Sequence, residues 1–249
     1  MKQLLYILIL LFSTSIMAQN GPLFEQGKER YKEEKYQEAI NSWMKIIENG
    51  EHSANLYFNL GNAHYKLNNV GPSIYYFEKA AQLAPLDSDI KTNLAFAEKA
   101  KIDAIEPLPK TIFAKWHATI SSLLTFNGWA VVSVVFSSLF ALLFLLYYFS
   151  AQENRKRLLF VGSMGSLVLL IASLAMAFQV QSETLNDKPA IIFAESIEVK
   201  SEPKMGGEVV FSLHEGTKVQ IMEQDDNWVR VKLINGKDGW MPSADLKPL

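Results

Sequence analysis

Side chains able to carry acid–base, nucleophilic or metal chemistry are few in these 249 residues, and they are scattered. With no cysteine, the chain has no thiol nucleophile, no thiolate-held zinc, no disulfide framework and no lipidated cysteine anchor. His52, His64, His117 and His214 lie in different segments and have no evident charge-relay partner. Neither HExxH nor GxSxG occurs. The nearest approach to a phosphate-cradling loop, Gly162-Ser-Met-Gly165, lies inside a long apolar run. Glu33 and Glu34 belong to a charged helix face. The acidic run Glu223-Gln-Asp225-Asp226-Asn227 has neither the spacing nor the glycine of a calcium loop, so an exposed hairpin loop is expected there. A formal charge of −2 gives no electrostatic basis for nucleic-acid binding. The expectation is a non-enzymatic protein with no catalytic residue, no metal site and no cofactor.

Binding must then be the function, and the distribution of charge shows what presents it. Only Lys2 precedes Glu25, and no Asp, Glu, Lys or Arg falls between Lys115 and Glu153 or between Arg157 and Glu183. The first stretch, with Lys2, the apolar run Leu4–Phe12 and Ile16-Met-Ala18, reads as a secretory signal peptide over residues 1–18. Residues 129–150 and 158–180 are each long enough to cross a hydrocarbon core of about 30 Å. A basic loop at 151–157, carrying Arg155-Lys156-Arg157, joins them as a hairpin and marks the cytoplasmic side. A two-pass protein of the inner (cytoplasmic) membrane follows, with both flanking domains periplasmic. No Asp, Glu, Lys, Arg or His lies within either span, as suits an anchor rather than a transporter or channel. Ser133/Ser137 and Gly162/Ser166 permit close helix packing. Before the hairpin, residues 104–126 form a linker in which Ile112, Trp116, Ile120 and Leu123 recur at helical spacing, a pattern suited to an interfacial helix.

Residues 20–103 repeat at an offset of 34 residues. Leu23 matches Tyr57, Gly27 matches Gly61, Tyr31 matches Tyr65, Ala39 matches Ser73, Ile40 matches Ile74 and Trp43 matches Phe77. A third, partial copy aligns Leu94-Ala95 with Leu60-Gly61. Gly27…Ala39-x-x-x-Trp43 and Tyr57-x-x-Leu60-Gly61-x-x-x-Tyr65…Ser73-x-x-x-Phe77…Pro85 resemble tetratricopeptide repeats, at 20–53 and 54–87, followed by a capping helix at 88–103. Glycine on the first helix of each pair admits the second, and Trp43 and Phe77 fill the space between successive pairs. The turn Asn68-Asn69-Val70-Gly71-Pro72 departs from the family pattern.

The resemblance implies a concave face, lined by first helices, that binds an extended peptide. On this sequence that face maps to Lys28, Tyr31, Lys32, Phe58, Asn59, Asn62, Tyr65, Lys66 and Asn93. Asparagine amides can pair with a peptide backbone, and lysines with its carboxylates. Asn62 and Asn93 are similar to a carboxylate clamp, whereas Phe24 and Phe58 occupy positions where that type carries lysine.

After Val180 the pattern turns to short strands. Ile191–Phe193, Ile197–Lys200, Val209–Leu213, Lys218–Glu223 and Trp228–Leu233 are separated by Gly206-Gly207, Glu215-Gly216 and Asn235-Gly236. Ile197-x-Val…Leu213-x-Glu-Gly216-x-x-Val219, Trp228-Val-x-Val231 and Gly239-Trp240-Met resemble a bacterial SH3 domain over 190–249, with Trp228 and Trp240 as groove candidates.

The fold class is therefore multidomain: an all-α tetratricopeptide superhelix, a two-helix transmembrane hairpin and an all-β SH3-like barrel. In whole-chain order this resembles the Bacteroides aerotolerance (Bat) family, of its BatE type. That resemblance implies a membrane scaffold in an aerotolerance or oxidative-stress complex, working with von Willebrand A-type membrane proteins and a MoxR-type ATPase. The alternative is a cell-wall reader, since exported bacterial SH3 domains resemble binders of peptidoglycan peptides.

Overall fold

The computed structural model describes residues 20–109 and 111–249, and the signal peptide expected over 1–18 lies outside the described residues. Two compact units result. Among the described residues, one combines 20–107 with Lys188–Leu249; the other lies within Leu108–Asp187.

In the first unit, the repeats are five helices. The chain is helical over 20–32 (α1), then over Tyr36–Glu48 (α2), Ala54–Lys66 (α3), Val70–Leu83 (α4) and Ser88–Lys99 (α5). Ala39, Ile40, Trp43 and Ile46 recur at helical spacing on α2, and all four are buried. The Ser53 hydroxyl accepts from the Leu56 amide to start α3, and the Asp87 carboxylate accepts from the Asp89 and Ile90 amides to start α5. Pro72 sits in the first turn of α4, where its missing N–H is not needed, and Pro85 follows that helix's end. Glu34 and Asn68, equivalent positions in the two repeats, both turn with positive φ, 62° and 59°. The last helix is shorter than expected. It stops at Lys99 rather than near Asp103, which frees that carboxylate for the contact described below.

The repeat glycines act through close approach. A Cβ on Gly27 would lie 2.2 Å from the Trp43 ring, and one on Gly61 would lie 2.7 Å from the Phe77 ring. Each large ring thus fills space against the glycine of its own pair, and Phe77 also meets Ala97 of α5 in the next copy, as expected of a residue between successive pairs. Behind Gly61, the fully buried Ser73 hydroxyl donates to the Gly61 carbonyl at 3.0 Å. Gly61→Ala must displace the Phe77 ring from a dry core, and a loss of about 1–3 kcal/mol is expected by overpacking. Thermal melting of the full chain in nanodiscs would measure it; an unchanged midpoint would contradict the contact.

The C-terminal part is one antiparallel sheet of seven strands, not the five read from the sequence. They are β1 (Pro189–Ile192), β2 (Ser196–Lys200), β3 (Val209–His214), β4 (Lys218–Asp225), β5 (Trp228–Lys232), β6 (Asp238–Pro242) and β7 (Leu246–Pro248), in the order β3-β2-β6-β5-β4-β1-β7. Gly239 and Pro242 in β6, and the length of β7, hid these two strands from pattern reading. Val229 and Val231 are buried while Arg230 and Lys232 face outward, the alternation expected of β5. Gly216 and Gly236 turn with φ of +82° and +87°.

β1 is buried on both faces. Ala190 and Ile192 enter the core of the sheet with Val199, Leu213, Val231 and Met241. Between them Ile191 points the other way, fully buried among Ile74 and Phe77 of the repeats and Ala97 of α5. α5 is the first helix of a third copy that has no second helix. The SH3-like domain supplies the apolar cover at that end of the stack, so α5 does not cap it alone.

The second unit holds α6 (Ile112–Ser121), α7 (Phe126–Phe149) and α8 (Glu153–Asn186). The last two are long and apolar enough to cross a membrane. Their connection is only residues 150–152. Arg155, Lys156 and Arg157 lie in the first turns of α8, not in a 151–157 loop, because nothing between Glu153 and Leu158 breaks a helix. α7 packs on α8 through small residues. Ser133 is buried and its hydroxyl donates to Ser173 at 2.9 Å, with Ser163, Ser166 and Ala177 buried along the same helix. Ser137, expected in this seam, is exposed.

Candidate functional site

The residues mapped to the concave face lie on one stripe of each first helix. Asn59, Asn62, Tyr65 and Lys66 of α3 recur three to four residues apart, clear of the buried Leu56, Leu60 and Ala63. Lys28, Tyr31 and Lys32 take equivalent places on α1. The structure brings two of the predicted residues together, since the Asn93 amide of α5 donates to the Asn62 side-chain oxygen at 3.1 Å. This pair spans two copies of the repeat and leaves the other Asn62 and Asn93 lone pairs and protons open to a ligand.

Other predicted residues have duties within the domain. Phe58 packs against Phe77 with ring centroids 5.9 Å apart and is half-buried, so it walls the face rather than standing free on it. Tyr31 lies between Tyr36 and Trp43, and burial, aided by Tyr36, pushes its hydroxyl above the ordinary tyrosine range. Lys28 is held 2.9 Å from Glu25 and over the Phe24 ring. Lys32, Lys66 and Tyr65 are exposed.

One residue of this face escaped the sequence reading. Phe96 of α5 is 51% exposed and lies one repeat beyond Asn62. It lines a shallow hollow with Lys91, Thr92, Ala95 and Lys99, and the Lys99 ammonium stands 5.4 Å from its ring centre. The 34-residue offset, carried one copy further, locates it. A second hollow, lined by Phe24, Ile46, Asn55 and Leu56 among others, lies between α1 and α3. The face thus offers amides, ammonium groups and two exposed aromatic rings.

On the sheet, Trp228 and Trp240 are half-buried and point away from the domain core. Trp228 stands opposite Pro242, and Trp240 opposite both Arg230 and Lys200. The two indoles are diagonal neighbours on β5 and β6, within reach of one ligand. Arg230 is held by Asp238 at 2.6 Å, which fixes the basic edge of this surface.

Chemistry-bearing side chains also meet where the two domains join. Asp103 accepts from the His214 amide at 2.7 Å and from the Thr217 hydroxyl at 2.6 Å, and its other oxygen lies 2.8 Å from His214 Nδ1. Burial pushes the Asp103 carboxyl up, but the bonds from Thr217 and His214 more than offset this and hold it below the ordinary aspartate range. His214, with no evident charge-relay partner in the sequence, thus has a carboxylate partner in the fold; 111 residues separate the pair, so no local pattern reports it. Thr217 donates to the same carboxylate rather than to the ring. The arrangement is a latch, reinforced by Gly71 N–H donating to Glu215 at 2.9 Å and by Lys218 paired with Glu78 at 2.8 Å. Among the described residues, no group of three or more histidine or acidic side chains could hold a metal ion.

Comparison with known proteins agrees with this division. Residues 54–87 match the tetratricopeptide repeat family, and residues 195–247 match the bacterial SH3 domain family. No curated protein matches the chain. Among solved structures, the C-terminal SH3 domain of myosin IB from Entamoeba histolytica is similar at 20% identity, covering 26% of this chain and 95% of that one, with a TM-score of 0.18. The two family matches show a tetratricopeptide repeat and a bacterial SH3 domain, interaction modules in both cases, together with two helices of membrane-spanning length and composition.

Proposed function

We propose that this protein is a non-enzymatic membrane scaffold whose repeat face holds an extended, acidic segment of a partner membrane protein. The observation that carries this reading is the Asn62–Asn93 pair, with exposed Tyr65 and Phe96 each one turn further along its own helix and Lys66 and Lys99 beyond the pair on the same helices. Amides serve the peptide backbone, rings cover its apolar side chains, and ammonium groups meet its carboxylates.

The joined unit supports placing both domains on one side of a membrane. The chain leaves it at Pro107 and returns at Lys188, so the segment between must cross an even number of times. The basic cluster at the start of α8 favours a cytoplasmic hairpin tip, and hence a periplasmic unit at the inner membrane. Within that setting, the Bat-type architecture suggests von Willebrand A-type membrane proteins and a MoxR-type ATPase as members of the same aerotolerance complex.

The test is co-purification in mild detergent with membrane proteins encoded nearby. Asn62→Ala with Lys66→Ala is expected to weaken capture about tenfold or more, the scale of two lost polar contacts of roughly 1 kcal/mol each. The second reading, a binder of peptidoglycan peptides, rests on the outward Trp228, Trp240 and Pro242 surface. Sedimentation with insoluble cell wall that depends on Trp240, and no capture of a membrane protein, would put it in place of the first.

A further inference from the structure

The short helix before the hairpin has a use that the scaffold reading does not absorb. Thr111 caps α6 by accepting from the Ala114 amide, and not one of the helix's residues is buried. Its apolar side chains are nonetheless large: Phe113 is 79% exposed and Trp116 65%, with Ile112, Ile120 and the following Leu123 also exposed. At about 100° per residue the four within the helix fall in an arc of roughly 100°, while Lys115, Ala118 and Ser121 fall outside it. Ten residues, Ile112–Ser121, cannot cross a bilayer that needs about twenty. Nor does the helix hang free, because the Trp129 indole N–H of α7 donates to the Ser121 carbonyl at 3.4 Å.

We propose that α6 lies flat in the lipid surface, its Phe113–Trp116–Ile120 stripe sunk into the boundary between headgroups and acyl chains. Continuity decides the occupant. Only residues 122–125 separate α6 from α7, whose Val131, Val134 and Val135 are exposed and apolar and form the flank that faces hydrocarbon. A helix tied to the mouth of that flank reaches the lipid boundary before any other partner. The composition agrees: Trp, Phe and Ile on one side and Lys115 on the other is the division an interfacial helix needs, with the ammonium among headgroup phosphates. The inference rests on reading α7 and α8 as a membrane hairpin.

The natural absence of cysteine makes the test direct. Single substitutions Phe113→Cys, Ala114→Cys, Ile120→Cys and Ser121→Cys, with Val135→Cys in α7 as the depth reference, would be spin-labelled in the full chain. Each chain would be placed in nanodiscs of phosphatidylcholine and phosphatidylglycerol. Accessibility to oxygen, which concentrates in lipid, would then be compared with accessibility to a water-soluble nickel chelate. The expected result is an oxygen-to-nickel ratio severalfold higher at 113 and 120 than at 114 and 121, at a depth of about 5–10 Å, and deepest at 135. Uniformly high nickel access across α6, with 135 still deep, would overturn the proposal and leave the hairpin standing. Low access to both reagents at 113 and 120 would mean a protein cover, a second copy or another chain, and would also overturn it. High nickel access at 135 would overturn the hairpin and the proposal together.

Discussion

Ile191→Asp is expected to release the SH3-like domain from the repeats while leaving the sheet folded. The argument is the alternation of β1. Ala190 and Ile192 belong to the core of the sheet and are untouched by the change, whereas Ile191 faces Ile74, Phe77 and Ala97 with none of its surface exposed. A carboxylate there has no partner, and an unpaired buried charge costs several kcal/mol, more than one apolar contact returns. Truncation to Ile191→Ala keeps the site apolar and should cost about 2–5 kcal/mol of coupling between the domains. Hydrogen exchange on the full chain in nanodiscs separates the two effects. In the Asp variant, amides of α5 should lose protection because the Ile191 cover over Ala97 is gone, while β4 and β5 keep theirs. Protection of α5 equal to that of the unaltered chain would show that the joint core is not what orders this end of the stack. Asp103→Ala should act in the same direction and less strongly, because it removes bonds at the rim of the contact rather than its apolar centre.

This joint also marks the limit of what the sequence made legible. The repeats, the two long helices and the strand-rich end all follow from periodicity, because each is fixed by neighbours within one element or one copy. The joint is fixed by residues far apart in sequence, from Ile191 with Ala97 to Gly71 with Glu215. It nevertheless left traces in the sequence that look like irregularities. The turn at 68–72 departs from the repeat pattern because Gly71 must pass close to the sheet; a Cβ there would lie 2.9 Å from the Ile192 carbonyl. The run Ala190-Ile-Ile-Phe193 is continuously apolar, as a strand buried on both faces should be, and not alternating as an SH3 edge facing water would be. Asp103, beyond the end of its helix, meets His214 only because the two domains pack. On the concave face, periodicity placed the stripe correctly but could not say which members are occupied. Phe58 was spent on packing against Phe77, and Phe96 was missed because the third copy is incomplete.

The stability of the repeats should fall as pH drops from about 6.5 to 4, and His64 is the cause. Its ring lies against Tyr76, centroids 5.4 Å apart and planes within 11°, in a pocket of α3 and α4. Burial first, and then the nearby Lys247 charge, holds its pKa down to about 4 from the ordinary 6.5. The sign follows from the protons bound. Between those two values the unfolded chain carries a proton on His64 that the folded chain refuses, so acid favours unfolding. The contribution is fully present above pH 6.5, is lost progressively down to pH 4, and is constant below it. A shift of that size corresponds to about 3 kcal/mol. Asp103 acts in a separate window, because its carboxyl is held below the ordinary 3.8; its contribution is present above that value and disappears only at more acidic pH. Melting the full chain in nanodiscs at steps from pH 7.5 to 4 should therefore show a steady decline that His64→Phe, which keeps a ring on Tyr76, largely abolishes. Parallel declines in the two proteins would assign the acid sensitivity elsewhere. Extending the series below pH 4 tests the Asp103 latch separately, because on acidification the buried imidazole gives way first and the carboxylate only afterwards.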